Sequence, residues 1–383
     1  MNIIVQLFFT LFSYIVPKKK KSIVFGSGDA KMFNGNPKFM FLYLQTSNID
    51  IEFYWSTKNK DIYERLKSKN YPVINANSLK GFYKLLRARY LVIEKTVYDV
   101  SYTTSIIGRF NVVQSNHGTP LKKVGDDAIT IIKNKTIDRF FKKYRIYSKL
   151  RYKYFVSSSN EVDRVVLSAF GNINIVTTGY PRNDVFYNKD ILFYDYESKF
   201  KLRAFNKVLF YAPTFRDNYS KVIPFTSKIE NLNLYLKENN FILLVKKHPK
   251  EKALSIPGNL SNIKDISFEV DDIQEILPFV DVLITDYSST FFDFILTKRP
   301  VIYYSYDLNE YLSKCRGMYY DYYTELPGPF AKNEDELFDI IKTIDKWTNT
   351  SDYKIKYNKL VDKFNKYKDG NSSERLIKIL FKN

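Results

Sequence analysis

Short apolar runs of five or six residues, separated by longer amphipathic stretches, succeed one another from Ser22 to Tyr304. Parallel strands need crossovers long enough to hold a helix, so this rhythm predicts a parallel α/β chain. The predicted strands are SIVFG (22–26), IEFYW (51–55), YPVIN (71–75), YLVIE (90–94), NVVQS (111–115), YFVSS (154–158) and INIVTT (173–178). A second series follows: VLFYA (208–212), FILLVK (241–246), VDVLIT (280–285) and PVIYY (300–304). Between the two series, a polar, aromatic and charged segment from GYPRND (179–184) to about Asn206 has the character of a linker. A chain of 383 residues is too long for one typical core. The pattern therefore predicts one domain over 22–190, a second over 191–370, and a terminal helix over 371–383 that starts from a serine cap near Ser372.

Ahead of the first strand stands MNIIVQLFFTLFSYIVPKKKK (1–21). Its apolar run of about 14 residues is short of the roughly 20 that span a bilayer. Its charges follow the apolar stretch and no small-residue cleavage site appears, so it is a poor secretory signal. On a helix, Ile4, Leu7, Phe8, Leu11, Phe12 and Ile15 share a broad face, with Gln6, Thr10 and Ser13 opposite. That pattern suits either a helix packed on the protein's own core or one lying in a membrane interface. The run Lys18 to Lys21 favours the interface, at about 1 kcal/mol per lysine near anionic headgroups.

Sixty Lys and Arg against 41 Asp and Glu give a net charge of +19, which points to a polyanionic partner: nucleic acid, an anionic membrane or a phosphate-rich substrate. Hydrophobic residues at 45% and aromatics at 17% exclude a disordered chain. The single cysteine, Cys315, excludes an internal disulfide framework. There is no Walker motif, no CxxC and no histidine pair spaced for a metal, and GSGD (26–29) is too short for a dinucleotide fingerprint and reads as a turn.

In open α/β sheets ligands bind beyond the carboxyl ends of the strands. Three such ends in the second half carry unusual polar groups: VLFYA leads to Arg216, FILLVK to Lys247 and His248, and VDVLIT to Asp286, Ser288 and Ser289. All three are expected to open on one cleft. Ser288 and Ser289 stand where a helix begins, offering hydroxyls and backbone N–H groups to an anion, and Asp293 follows on the same face one turn on, where a ribose would lie. The plainer alternative is that Ser289 only caps the helix and Asp293 is a solvated acid. His248 and His117 are the only histidines. His117 precedes Gly118, Thr119 and Pro120 in a tight loop after the fifth strand, and an imidazole, with an ordinary pKa near 6.5, can act as a general base. Arg316 beside Gly317 offers a guanidinium next to a residue that permits close backbone approach, a combination suited to phosphate.

Taken together, HGTPLKKVG (117–125), GYPRNDVF (179–186), YAPTFRD (211–217), KKHP (246–249), LITDYSSTFFDF (283–294), RPVIYYSYDLNEY (299–311), RGMYYDY (316–322), LPGPF (326–330) and DGNSSERL (369–376) resemble the CDP-glycerol glycerophosphotransferase family, the polymerases and primases of wall teichoic acid and related capsule enzymes. The segments cover nearly everything from about residue 110 onward. The resemblance implies a GT-B arrangement of two Rossmann-like domains facing a central cleft, attached peripherally to the cytoplasmic face of the membrane. It also implies transfer of an alditol phosphate from CDP-glycerol or CDP-ribitol to a lipid-linked, phosphate-rich acceptor, with release of CMP, no cofactor and no essential metal. In that reading His117 matches the family's proposed base and His248 the histidine that supports the donor diphosphate. Arg216, Ser288, Ser289 and Arg316 match positions lining the phosphate region. The strand-end reading of the residues adds Lys247, Asp286 and Gly317 to the substrate-binding set, and the assignment of Asp293 to the ribose rests on the helix geometry above and on analogy with other GT-B nucleotide sites. The chain is close to a minimal catalytic unit in length, which leaves primase, short-chain polymerase and capsule phosphotransferase open. The rival readings are a GT-B glycosyltransferase using a nucleotide sugar and a non-enzymatic nucleic-acid or membrane-binding protein. The second is disfavoured because the aromatics fall inside apolar runs, as core residues do, and no nucleic-acid partner is expected.

Overall fold

The computed structural model describes residues 3–104, 108–131, 152–214, 228–247, 256–314 and 317–382. The chain divides into two compact units, one of residues 1–117, 124–193 and 366–383, the other of residues 118–123 and 194–365. The division between Phe193 and Tyr194 falls inside the segment, 179 to about 206, expected to link the domains. The terminal helix joins the first unit, and six residues after His117 join the second.

The first unit is built on a parallel sheet in the order β3-β2-β1-β4-β5-β6-β7. Its strands are β1 (Ser22–Phe25), β2 (Glu52–Thr57), β3 (Val73–Asn75), β4 (Tyr90–Ile93), β5 (Asn111–Gln114), β6 (Tyr152–Ser157) and β7 (Ile175–Thr177). The central strands β1 and β4 are buried at every residue, which is why they read as unbroken apolar runs rather than alternating ones. Helix α1 (Ile3–Ile15) precedes the sheet, and the crossovers hold α2 (Gly35–Thr46), α3 (Lys60–Ser68), α4 (Leu79–Arg87) and α5 (Asn160–Phe170). Local chemistry starts the helices: the side chains of Asn59, Ser78 and Ser159 accept first-turn N–H groups of α3, α4 and α5. Phe33, Phe41 and Trp55 pack edge to face in the core.

The amphipathicity of α1 is as expected, but its orientation inverts the usual rule. The polar side faces the protein: Ser13 is fully buried and accepts a hydrogen bond from the Arg109 N–H (2.8 Å), and Gln6 donates to the Tyr102 carbonyl (2.9 Å). Phe9 anchors the helix in the core, between Phe82 and Phe110. Ile4, Leu7, Phe8, Leu11, Phe12 and Ile15 are left 43–67% exposed. No helix among the described residues is long and apolar enough to cross a membrane.

The second unit carries a parallel sheet in the order β10-β9-β8-β11-β12-β13. Its strands are β8 (Lys207–Ala212), β9 (Phe241–Val245), β10 (Ile263–Asp265), β11 (Val282–Thr285), β12 (Val301–Tyr304) and β13 (Phe330–Ala331). Leu209, Tyr211, Leu243, Val245, Ile284 and Ile302 form one side of its core. Against them pack Leu232 and Leu236 of α6 (Ile229–Glu238) and Leu337 and Ile341 of α8 (Glu334–Lys342), which follows the short α7 (Thr290–Phe294).

The last helix, α9 (Ser372–Leu380), starts where expected but is not capped by a serine side chain. Asp184, 188 and 189 positions earlier, accepts the N–H groups of Ser372 and Ser373 at 2.9 and 2.8 Å. Burial pushes the Asp184 carboxyl up to about 6, against the lowering effect of these hydrogen bonds. The motifs GYPRND and DGNSSERL thus meet in the first unit as a carboxylate and the helix start it caps.

Candidate active site

Both sheets have the order of a Rossmann-like fold, in which the strand sequence reverses between β1 and β4 in the first unit and between β8 and β11 in the second. The three strand ends singled out in the second half are neighbours: Tyr211 of β8 pairs with Val245 of β9, and Ala212 with Thr285 of β11. Sequence order alone does not reveal that adjacency.

The groups beyond those ends divide into two kinds. Asp286, expected to meet substrate, is fully buried and turned into the fold. Its carboxylate accepts the Thr214 N–H on both oxygens (2.8 and 3.0 Å) and the Tyr287 N–H (2.6 Å). The carboxylate ties the end of β8 to the end of β11, and such donors are what a buried carboxylate needs. Tyr322 donates to the Asp286 carbonyl, and Tyr287 donates to Asp307 while stacking on Tyr311 at 4.0 Å. Lys247 is likewise engaged. Its ammonium pairs with Asp265 at 2.9 Å, and its N–H donates to Ser267. Burial works against ionised Asp265, but hydrogen bonds from Ser267 and Lys247 hold its carboxyl below the usual range. Much of the Lys247 charge is therefore already satisfied by Asp265.

Ser288, not Ser289, makes the turn before α7: its hydroxyl accepts the Thr290 N–H at 3.3 Å and contacts the Thr290 hydroxyl at 2.9 Å. Ser289 is the residue at the helix start, half-buried and with no side-chain cap bond. Asp293 is 2% exposed, which excludes the solvated-acid alternative. Gly317 is held by segment 118–123. Its carbonyl accepts the Lys123 N–H (2.8 Å), Tyr319 N–H donates to Leu121, and Lys122 bridges Met318. The residues after His117 and the RGMYYDY motif, far apart in sequence, thus form one piece of the second unit. Arg216, His248 and Arg316 lie outside the described residues.

In the first unit, His117 is exposed while Asn116 and Gly118 on either side are buried. The loop is fixed by backbone geometry and by side-chain amides. Asn116 takes φ +58° and its Oδ1 accepts the His117 N–H (2.8 Å), while Gly118 takes φ +112°, a conformation that favours glycine. Asn36, in the first turn of α2 and fully buried, donates to the carbonyls of Ser115 (3.0 Å) and Asn116 (2.8 Å) and accepts the Arg182 N–H (3.1 Å). Gly35 before it permits this placement, since a Cβ there would stand 2.1 Å from Glu94 Oε1. The arrangement presents one exposed imidazole just beyond the carboxyl end of β5, on a loop held by the amides of Asn36 and Asn116. Sequence reasoning missed Asn36 and Asn116. The only signal for either was Asn116 preceding a histidine and a glycine.

The two Rossmann-like parallel sheets, with their polar strand ends, define a GT-B-like α/β protein. The family described as CDP-glycerol:poly(glycerophosphate) glycerophosphotransferase matches residues 8–382, and the chain belongs to it. It is 32% identical to a teichoic acid glycerol-phosphate transferase of Staphylococcus aureus (strain NCTC 8325 / PS 47), over 95% of this chain and 93% of that protein. It is 30% identical to a teichoic acid poly(glycerol phosphate) polymerase of Bacillus subtilis (strain 168), over 96% of this chain but 49% of the polymerase, so the chain spans about half that relative's length. A solved structure of the wall teichoic acid polymerase TagF, a histidine-to-asparagine variant soaked with CDPG, superposes with a TM-score of 0.79 at 26% identity, covering 99% of this chain and 92% of that one.

Proposed function

We propose that this chain transfers glycerol phosphate from CDP-glycerol to a hydroxyl of a lipid-linked poly(glycerol phosphate) acceptor in teichoic acid synthesis. Family membership over residues 8–382 supports the class of reaction, and the observation that carries the mechanism is the exposed His117 on its braced loop. The acceptor oxygen attacks the β-phosphorus of CDP-glycerol and gives up its proton to the His117 imidazole. The new P–O bond forms as the bond to the bridging oxygen breaks, and CMP leaves with the electron pair. Phosphoryl transfer asks mainly for positioning and positive electrostatics. Arg216, His248 and Arg316 are assigned to the donor diphosphate, with Ser288, Ser289 and the Gly317 backbone beside it and Asp293 at the ribose. Lys247 contributes through its Asp265 pair, and Asp286 acts by holding Thr214.

The test is CMP release from CDP-glycerol and CDP-ribitol by detergent-solubilised enzyme with a glycerophosphate-primed lipid acceptor, with and without EDTA. Acceptor-dependent CMP from CDP-glycerol is the expected result. Release of UDP from a nucleotide sugar, with no CMP from either donor, would overturn the assignment.

Asn36 provides a second test. Asn36→Ala removes both donors to the Ser115 and Asn116 carbonyls, and leaving buried polar groups unmatched costs roughly 1–3 kcal/mol each. The expected outcome is a fall in kcat of about tenfold or more, with the KM for CDP-glycerol nearly unchanged, because the loop that Asn36 braces positions the base and not the donor. An equal rise in KM would assign Asn36 to donor binding.

The membrane attachment proposed here rests on α1. An apolar face left outward, while the polar face bonds inward, suits an interface of acyl chains.

A further inference from the structure

The four lysines that follow α1 do not share one fate. Lys19 pairs with Glu52 at 2.8 Å and Lys21 with Asp50 at 3.5 Å. Lys84 joins the same Glu52 at 2.6 Å, and although burial opposes it, hydrogen bonds from Lys19, Lys84 and Tyr54 bring the Glu52 carboxyl down to about 2. Lys18 and Lys20 have no carboxylate partner among the described residues. They line a pocket of about 450 Å³ together with Tyr14, Arg89, Arg109 and Asn111. Arg89 spends one N–H on the Lys20 carbonyl, and Lys18 donates to the Leu86 carbonyl, 3.9 Å from the centre of the Phe110 ring. Neither arginine meets a carboxylate among the described residues. Burial first, and the neighbouring Arg109 second, bring the Lys18 ammonium down to about 8. Four cations, a phenol and an amide therefore converge on one space, a lining suited to an anion.

The place of the pocket says which anion. Tyr14 is on α1, at the end of the helix where the outward apolar face terminates in Ile15. Arg89 and Asn111 stand at the amino ends of β4 and β5, whereas His117 follows the carboxyl end of β5. A group seated in the pocket is thus at the far end of a strand from the reacting base, so it is not the acceptor hydroxyl in the act of transfer. We propose that the pocket seats the phosphate of an anionic phospholipid headgroup while the outward face of α1 lies among the acyl chains beside it. The inference rests on the membrane attachment proposed above. It adds a specific phosphate site to what would otherwise be diffuse attraction of a basic surface.

The experiment uses the full chain and sucrose-loaded vesicles of three compositions. One is phosphatidylcholine alone, one carries about a third phosphatidylglycerol, and one has the same surface charge supplied by fatty-acid carboxylate. The wild type is expected to sediment best with phosphatidylglycerol. Lys18→Gln/Arg109→Gln is expected to weaken that binding by about tenfold or more, while Lys60→Gln/Lys67→Gln, which removes equal charge from α3, changes it by about twofold or less. Melting temperatures close to wild type and unchanged CMP release with a soluble acceptor would show that the pocket pair still folds and still transfers. If the pocket pair behaves like the α3 pair, or if the wild type binds the carboxylate vesicles equally well, the headgroup site falls and only diffuse charge is left. If the wild type binds millimolar glycerol phosphate in solution no more weakly than it binds the phosphatidylglycerol vesicles, the pocket holds a free phosphate ester and the lipid assignment falls. Leu7→Gln/Leu11→Gln separates the underlying reading. If that variant binds every vesicle as the wild type does, α1 is not the membrane face, whatever the pocket holds.

Discussion

Replacing His117 with alanine is expected to lower kcat for CMP release by about 10³-fold, within the range of roughly 10² to 10⁴ that a positioned general base contributes. Such a loss corresponds to about 4 kcal/mol of transition-state stabilisation. The side chain is exposed, and what fixes the loop is its backbone together with the amides of Asn36 and Asn116. Truncation at Cβ therefore removes the base without unpinning its support. The melting temperature should stay within about a degree or two of wild type, since exposed substitutions change stability by about 0.5 kcal/mol or less. The KM for CDP-glycerol should change little, because the donor is assigned to the second unit. His117→Gln, which keeps a polar side chain but cannot take up a proton at neutral pH, should be nearly as inactive. Single-turnover CMP release measures the step directly. Activity of His117→Ala within about tenfold of wild type would remove the base from this residue.

The architecture was largely legible in the sequence, and the reason is local. Strands such as SIVFG and YLVIE are buried on both faces, so they appear as apolar runs whatever they pair with. Only the shortest strands escaped notice: β10 reads IKD and β13 is Phe330–Ala331, both at the edge of the second sheet and too short to show a period. The site was legible to the extent that its residues follow strands. What stayed hidden were partnerships between residues remote in sequence. Asp265 neutralises a lysine that looked free for phosphate. Asp184 caps a helix that seemed to cap itself. Asn36 braces a histidine loop about 80 positions away. Periodicity encodes which face is apolar, not what that face meets. For α1 the phase was visible, but the direction in which the apolar side points was set by the inward bonds of Gln6 and Ser13.

Asp286 yields the other large effect, and its two assignments predict opposite measurements. If its carboxylate contacted substrate, Asp286→Asn would raise KM and leave the fold intact. In the structure the carboxylate is surrounded by N–H groups of Thr214 and Tyr287. An asparagine offers one acceptor oxygen and turns an NH₂ toward the remaining donor, so Asp286→Asn should destabilise the second unit by about 2 kcal/mol. Asp286→Ala strands both N–H groups and should cost about 3–5 kcal/mol, the range for breaking a buried charged network. The two tryptophans make the measurement selective: Trp55 is in the first unit and Trp347 in the second. In a Trp55→Phe background, fluorescence-detected denaturation reports the second unit alone. Both variants should also lose activity at temperatures where that unit remains folded, because Thr214 lies two residues before Arg216 in the sequence and loses its tie to β11. In that regime the loss should appear in kcat and KM together, as expected when donor-side groups shift rather than disappear. An Asp286→Asn protein as stable as wild type, with only KM raised, would return Asp286 to the substrate.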